Sequence, residues 1–539
     1  MPEPTRTRDR SWLPRAGGAA ALVLVLLAGA AFAVVHWSGA TLGADDEALA
    51  RVHLSAFGGT VTGARVVTAS GKTVPLVRTG DLLTPAKQLA SGQRVRVTVD
   101  VRRPGIVAWA LGKVRHEHLT LRTPQASVAS RWIDAAADGT VRVPFDGTVE
   151  RVSYVLGHQA SERRLATPAT TVSLGRPAAA GSVKIAASAR PWLRLDHQAT
   201  VDWFPKAKVP VAIVSPKPGG LRGPAEPIRL TFSVPVRQAL GGTKPALSPS
   251  TPGRWTKPDS HTLVFTPSGY GTGFGQAVHV TLPRTVGIAG QDGRDVRAVR
   301  EVSWTSQPGS TLRLQQLLAE AGYLPLDWAP SGTPVARTRA AQSRAASQAP
   351  DGTFSWRYAN TPKELKGLWT PGKVDVITRG ALMMFQDEHH LAVDAVAGAG
   401  VWKALLDDTI AGKRHAGGYN YVYVHRRVPQ RLTLWHAGHT VLTSPGNTGV
   451  PAAPTELGTF PVFEHLAVTT MSGTNPDGSH YHDPGIKWVS YFNGGDALHS
   501  FNRASFGTPQ SLGCVELPLA TAAKVWPYTP IGTLVTIEQ

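Results

Sequence analysis

At 539 residues the chain exceeds what one hydrophobic core can organise, so three or four domains are expected. Its 42% hydrophobic and 17% charged residues fit folded material rather than a disordered chain, and its 55 Gly and 42 Pro favour turn-rich β modules. A formal net charge of +19 points to an anionic partner, but Lys and Arg are scattered, with no basic stripe or binding motif that would support nucleic acid, and the single Cys excludes an intramolecular disulfide.

The first fifteen residues carry Arg6, Arg8, Arg10 and Arg15, and an uncharged run from Ala16 to Val35 follows. Twenty such residues at about 1.5 Å rise span a bilayer core of about 30 Å. Residues 1–15 are therefore read as a cytoplasmic tail and 16–37 as a transmembrane signal anchor, with the remainder exported. The competing reading is a signal peptide cut after Ala31-Phe32-Ala33. Residues 38 to about 50 read as a short stalk.

Short alternating runs then dominate. Arg94-Val95-Arg96-Val97-Thr98-Val99 and Thr140-Val141-Arg142-Val143 have the period of half-buried strands, giving a β-sandwich spacer over 51–175. The Gly/Pro/Ala segment 175–181 reads as a linker. A second β-sandwich is expected over 182–307, with strands such as Ile228–Ser233 and Val278–Leu282. Within it, Phe232-Ser233-Val234-Pro235-Val236 resembles bacterial immunoglobulin-like wall domains. Neither block holds a catalytic constellation.

From 308 the period changes to helical. Leu314, Leu317, Leu318 and Ala321 share one face and Gly322 is a stop signal; Ala381, Leu382 and Phe385 mark a second helix, and Val401, Trp402, Leu405 and Leu406 a third. Between the first two, the insertion 327–355 contains an Ala/Ser/Arg stretch, Pro334 to Ala349, that has no apolar period and is expected to be disordered. Leu314-Gln315-Gln316-Leu317-Leu318, Gly322-Tyr323-Leu324, Phe385-Gln386 and Val401-Trp402-Lys403-Ala404-Leu405 resemble the three-helix peptidoglycan-binding module, which implies such a domain over 308–410.

The C-terminal segment, 418–539, is β-rich and contains Asp496-Ala497-Leu498-His499-Ser500 and Ser511-Leu512-Gly513-Cys514-Val515-Glu516-Leu517. A free thiol is mostly protonated at neutral pH, and the thiolate is the nucleophile. A neighbouring imidazole can take the proton or hold the thiolate as an ion pair, provided a third group orients the ring. His499, fifteen residues before Cys514, is the candidate base. Ser500 or a nearby backbone carbonyl is the candidate orienter, and Ser511 fixes the turn or bonds the ring. Gly513 leaves the backbone uncrowded, so its N–H and that of Cys514 can face an oxyanion.

These residues, with Pro454-Thr455-Glu456-Leu457-Gly458-Thr459-Phe460, resemble the L,D-transpeptidase catalytic domain of the YkuD type. Two positions depart from that pattern: Leu512 stands where His is usual, and Glu516 where Arg or Asn is usual. The resemblance implies a mixed β-sandwich, attack on a peptidoglycan stem peptide, release of D-alanine, and transfer to an amine of a second stem to form a 3→3 cross-link. With water as acceptor the product is that of a carboxypeptidase. His480, Tyr481, His482 and Trp488 are candidates for a lid, with Tyr481, Trp488, Leu512 and Glu516 as substrate contacts. No cofactor is implied, and no carboxylate or Cys completes a metal site with His480 and His482.

The expected whole is a multidomain, mainly β protein of the cell envelope: a transmembrane helix, two immunoglobulin-like sandwiches, a small helical wall-binding domain and a catalytic domain in the wall. Anionic wall polymers are a candidate partner and nucleic acid is not. Sortase order is disfavoured because no Arg follows Cys514, and papain-like order because no His does. A wall-binding scaffold with an inactive catalytic domain is the rival from another class.

Overall fold

The computed structural model describes residues 23–32, 39–56, 58–156, 158–178, 180–289, 296–297 and 301–539. Residues 23–32 are helical, and the rest of the expected anchor over 16–37 lies outside the described residues, as does the tail 1–15. Among the described residues, no helix is long and apolar enough to cross a membrane. The chain divides into two compact units, residues 1–213 with 289–297, and 214–288 with 298–539.

The first unit contains two sheets. One runs in the order 40–44, 50–54, 82–85, 73–79, 60–68, 94–102, 114–122, and the other 159–173, 142–156, 181–188, 199–204, 132–134. Their inward valines and isoleucines, including Val52, Val97, Val152, Ile185 and Val201, are fully buried in one core. Two sequence expectations change here. The stalk at 38–50 is instead an edge hairpin, because Ala40–Ala44 pairs with Ala50–Leu54. Segment 175–181 is a connection inside a sheet, because Gly181–Ser188 pairs with the strand Arg142–Leu156. The second β block accordingly starts near 214, not 182.

The second unit opens with that block. The strands Ile228–Phe232 and Gly253–Thr256 flank Thr262–Pro267, and Ala277–Thr281 pairs with Glu301–Ser306. Leu230, Phe232, Val278, Val280 and Trp304 alternate inward and are buried. Helices α1 (Thr311–Glu320), α2 (Arg339–Ser347), α3 (Val376–Glu388) and α4 (Ala399–Ala411) follow. Ser310 caps α1, its hydroxyl accepting from the Arg313 amide, and Gly322 ends the turn beyond α1 at φ +89°. Leu314, Leu317, Leu318, Leu382, Phe385, Trp402, Leu405 and Leu406 form its core.

The insertion 327–355 is ordered, contrary to its composition. Leu326–Pro330 pairs with Gly352–Trp356, and Thr338 caps α2. Tertiary contacts replace the missing apolar period. Phe354 lies 5.0 Å from Trp328 and 5.1 Å from Trp369, ring centre to ring centre, and the small side chain of Ala346 lets α2 pack closely.

The helical core runs on into the last domain through Tyr421, Trp435 and Leu534. A Cβ at Gly380 would stand 2.5 Å from the Gly532 carbonyl oxygen, so these backbones meet only because both residues are glycine. In this domain β1 (Asn420–His425), β2 (Arg431–His436), β3 (His439–Pro445), β4 (Gly458–Pro461) and β9 (Leu534–Glu538) form one sheet, ordered β3-β2-β1-β9-β4. The other sheet holds β5 (Glu464–Thr474), β6 (His480–Asn493), β7 (Asp496–Ser500) and β8 (Val515–Leu517) in that order, with α5 (Leu519–Val525) after β8. Val422, Leu434, Phe492, Leu498, Val515, Leu517 and Val535 fill the space between the sheets.

Candidate active site

Strands β7 and β8 are parallel neighbours, with His499 opposite Glu516. Side chains two residues apart on a strand share a face. Cys514, two residues before Glu516, therefore lies on the same face as His499. Both line a cavity of about 570 Å³ beneath the β5–β6 hairpin, whose Met471, Ser472 and Tyr481 supply part of the opposite wall.

His499 is buried, and its Nδ1 lies 2.9 Å from the Ser500 carbonyl oxygen. A carbonyl only accepts, so Nδ1 carries the proton and Nε2 of the neutral ring is a lone-pair acceptor. The orienter is thus the Ser500 carbonyl. The Ser500 hydroxyl is turned away and donates to the Lys487 carbonyl at 3.0 Å. Burial lowers the imidazole pKa below its ordinary value.

Cys514 is half-buried, and its thiol points to the Gly495 carbonyl at 3.6 Å. Burial pushes the thiol up to about 12; the Asp496 and Glu516 carboxylates add to the rise, against a lowering by the Ala497 amide. Both shifts favour the neutral forms of the thiol and the imidazole, which line one cavity. An ion pair, one of the two states open from sequence, is disfavoured by the burial of both groups.

The turn into Cys514 is built for closeness. Ser511 is buried, and its hydroxyl donates to the Cys514 carbonyl at 2.6 Å and accepts from the Gly513 amide at 3.4 Å. Ser511 holds the turn and does not bond the imidazole. Gly513 has φ +121°, and a Cβ there would come 2.2 Å from an Asp496 carboxylate oxygen. The long bond to Ser511 leaves the Gly513 N–H weakly engaged.

Glu516 is buried and grips Arg503 with both oxygens: Nη2 to Oε1 at 2.6 Å and Nε to Oε2 at 2.8 Å. Asn447 Nδ2 donates to Oε2 at 3.4 Å, while Asn447 Oδ1 accepts from the Gly507 amide at 2.9 Å. Glu516 thus anchors the loop between β7 and β8. Arg503 lies over the Phe501 ring, 4.5 Å from its centre, and donates to the Gln510 carbonyl. Arg503 is the residue sequence reading missed. The signal was available: an acid at 516 calls for a cation, and Arg503 is the one cation between His499 and Glu516.

Among the expected substrate contacts, Tyr481, Leu512 and Glu516 line the cavity, joined by Tyr491, Asp483 and Asp496. Trp488 does not. It packs into the domain core and lies 5.2 Å from the Trp526 ring. Trp488 has φ +61° within β6, and its side chain packs on the core rather than into the cavity. His480 and His482 bond Thr474 and Ser472 across the hairpin.

Residues 420–537 match the YkuD family, the L,D-transpeptidase catalytic domain. The C-terminal domain is an L,D-transpeptidase catalytic domain. No curated protein sequence matches the chain. Among solved structures, the chain is similar to an L,D-transpeptidase from Mycobacterium smegmatis, at 13% identity over 61% of this chain and 99% of that one, with TM-score 0.21. L,D-transpeptidase 3 from Mycobacterium tuberculosis gives 12% identity, 60% and 97% coverage and TM-score 0.21. The L,D-transpeptidase catalytic domain from E. faecium gives 22% identity over 23% of this chain and 99% of that one, at TM-score 0.21. At these scores the family match, not structural likeness, assigns the domain. In this L,D-transpeptidase domain burial is the main cause of the raised thiol, and the Asp496 and Glu516 carboxylates add to it.

Proposed function

We propose that the chain is a peptidoglycan L,D-transpeptidase in which Cys514 is the nucleophile and His499 the general base. The observation that carries this is the common cavity: one thiol and one imidazole, its Nδ1 already committed to a carbonyl, face the same space from adjacent strands.

In the proposed reaction, Sγ attacks the carbonyl at the L-centre of the third stem residue while His499 Nε2 takes the thiol proton. The tetrahedral oxyanion forms beside the Cys514 and Gly513 amides; losing one such donor costs about 3 kcal/mol of barrier. The C–N bond to D-alanine then breaks, and His499 returns the proton to the leaving amine. An amine of a second stem attacks the thioester, gives its proton to His499, and the sulfur leaves to recover it. The product is a 3→3 cross-link, and water in place of the amine gives carboxypeptidase turnover. Concerted proton transfer suits a thiol this high in pKa, since Sγ never has to exist as a free thiolate.

The helical module is proposed to hold the enzyme on peptidoglycan, the β blocks to act as spacers, and residues 16–37 to anchor the chain in the cytoplasmic membrane with its catalytic domain in the wall. The raised thiol and Leu512 also favour a second reading, a wall-binding scaffold with little turnover. Incubation of the purified chain with tetrapeptide monomers and dimers, followed by mass analysis of muropeptides, separates the two. Transpeptidation predicts loss of D-alanine and cross-linked dimers that vanish in Cys514→Ala while sacculus binding stays. Unchanged muropeptides, or cross-linking that survives Cys514→Ala, sinks the proposal.

A further inference from the structure

The insertion 327–355 does more than fill space. With α1 and the end of α4 it encloses a second cavity, about 350 Å³, within the helical module. Arg313 lines it from α1. Its side chain is 1% exposed, and its Nε is buried without a hydrogen-bond partner. The other guanidinium nitrogens are fixed: Nη1 donates to Gln316 at 3.1 Å and to Glu320 at 3.4 Å, and Nη2 to Gln342 at 3.0 Å. Gln342 comes from the insertion, and its own amide ties down the Val335 and Ala336 carbonyls. The insertion thus positions a buried cation and leaves one of its donors unused, an arrangement costly for folding alone.

The remaining lining is basic. Arg337, Lys413 and Arg414 face the cavity, against the carboxylates of Glu320 and Asp327. Those two acids are engaged, Glu320 with Arg313 and Asp327 with Arg357 at 2.9 Å. Lys413 is shared with Asp408 at 3.3 Å. Among the described residues, Arg337 and Arg414 have no carboxylate within ion-pair distance and are exposed at the rim. Trp328, packed on Phe354, adds a flat apolar surface to the wall.

We infer that this cavity binds a small oxyanion-bearing ligand, a carboxylate or phosphate on a sugar-sized body, held by Arg313, Arg337 and Arg414 with its ring or apolar part against Trp328. Guanidinium forks suit planar and tetrahedral oxyanions through paired N–H donors, and the volume suits one or two sugar or amino-acid units. The inference stands apart from the catalytic reading, since none of these residues lines the Cys514 cavity.

Calorimetric titration of the full chain tests it. The probes are N-acetylmuramic acid, glycerol phosphate, and N-acetylglucosamine as the sugar without an acid. Saturable binding of either acid, with the neutral sugar weaker by about tenfold or more, is expected. The acid that binds identifies the source, a wall carboxylate or a phosphate polymer. The exposed pair Arg337→Gln/Arg414→Gln should weaken that acid by about tenfold without touching the core. Cys514→Ala should leave it unchanged. Lys363→Gln, far exposed and outside the cavity, should also leave it unchanged. Absence of saturable binding by both acids, equal binding of the neutral sugar, or equal weakening by Lys363→Gln overturns the inference.

Discussion

The cavity around Cys514 and the cavity over α1 are opposites in charge. The one around Cys514 is walled by Asp483, Asp496 and Glu516 with Arg503 as the answering cation. The one over α1 is walled by Arg313, Arg337, Lys413 and Arg414 with two engaged acids. A basic wall would lower a thiol and ready it as a thiolate. Here burial raises Cys514, and the Asp496 and Glu516 carboxylates add to the rise. The contrast matches the two proposals: the buried cavity keeps its thiol protonated until a base takes the proton, and the basic cavity offers its cations to an anionic ligand.

Removing the base should have the largest effect. His499→Ala is expected to slow acylation of Cys514 by about 10²–10⁴-fold, read from the time course of a carbapenem mass adduct, with oxyanion binding at the α1 cavity unchanged. A loss below tenfold would mean that the acidic cavity does not depend on proton transfer to that ring. Next comes the ion pair beneath the loop. Arg503→Met strands the buried Glu516 carboxylate and should destabilise the catalytic domain by about 3–5 kcal/mol, seen in denaturant unfolding. A loss under about 1 kcal/mol would show the pair to be a surface bridge. Gly513→Ala places a Cβ against Asp496 at positive φ and should cost about 1–3 kcal/mol, with acylation falling as the turn shifts.

The smallest effect is on pH. The base works only as neutral imidazole, and burial lowers the His499 pKa, so its base form persists to lower pH than in a free histidine. Acylation should be flat from pH 7 upward and fall only below about 6.5 as the ring is protonated. The same shift bears on stability. An imidazole that resists protonation when folded takes its proton more readily when unfolded, so its contribution is lost as pH falls below about 6.5. An acid limb centred above pH 7 would contradict a buried, neutral His499.

The proposed catalytic pair was legible because its chemistry sits in two residue types within a short segment: one Cys in the chain, with a His fifteen residues before it. The geometry around it was less so. Sequence leaves the orienter open between Ser500 and a nearby backbone carbonyl, and the Ser500 carbonyl takes that place, a choice that only backbone direction decides. Trp488 was drawn to the site by its aromatic character, although it packs on the core beside Trp526. The insertion misled most. Its alanines and serines carry no apolar period, and its order comes from Gln342 on Arg313 and from stacked Trp328 and Phe354, contacts that span distant positions. The segment 175–181 misled for a related reason: glycine and proline mark a turn, and a turn inside a sheet composes like a linker.

In the proposed reaction the Cys514 thiol loses its proton only as it attacks. Because the chain has one cysteine, thiolate absorbance at 240 nm, taken as the difference from Cys514→Ala, follows that sulfur alone. No thiolate signal is expected from pH 6 to pH 9 in the unliganded protein, alongside rapid acylation at pH 7. A thiolate step centred at or below pH 7 would contradict it and make Cys514 and His499 an ion pair from the start.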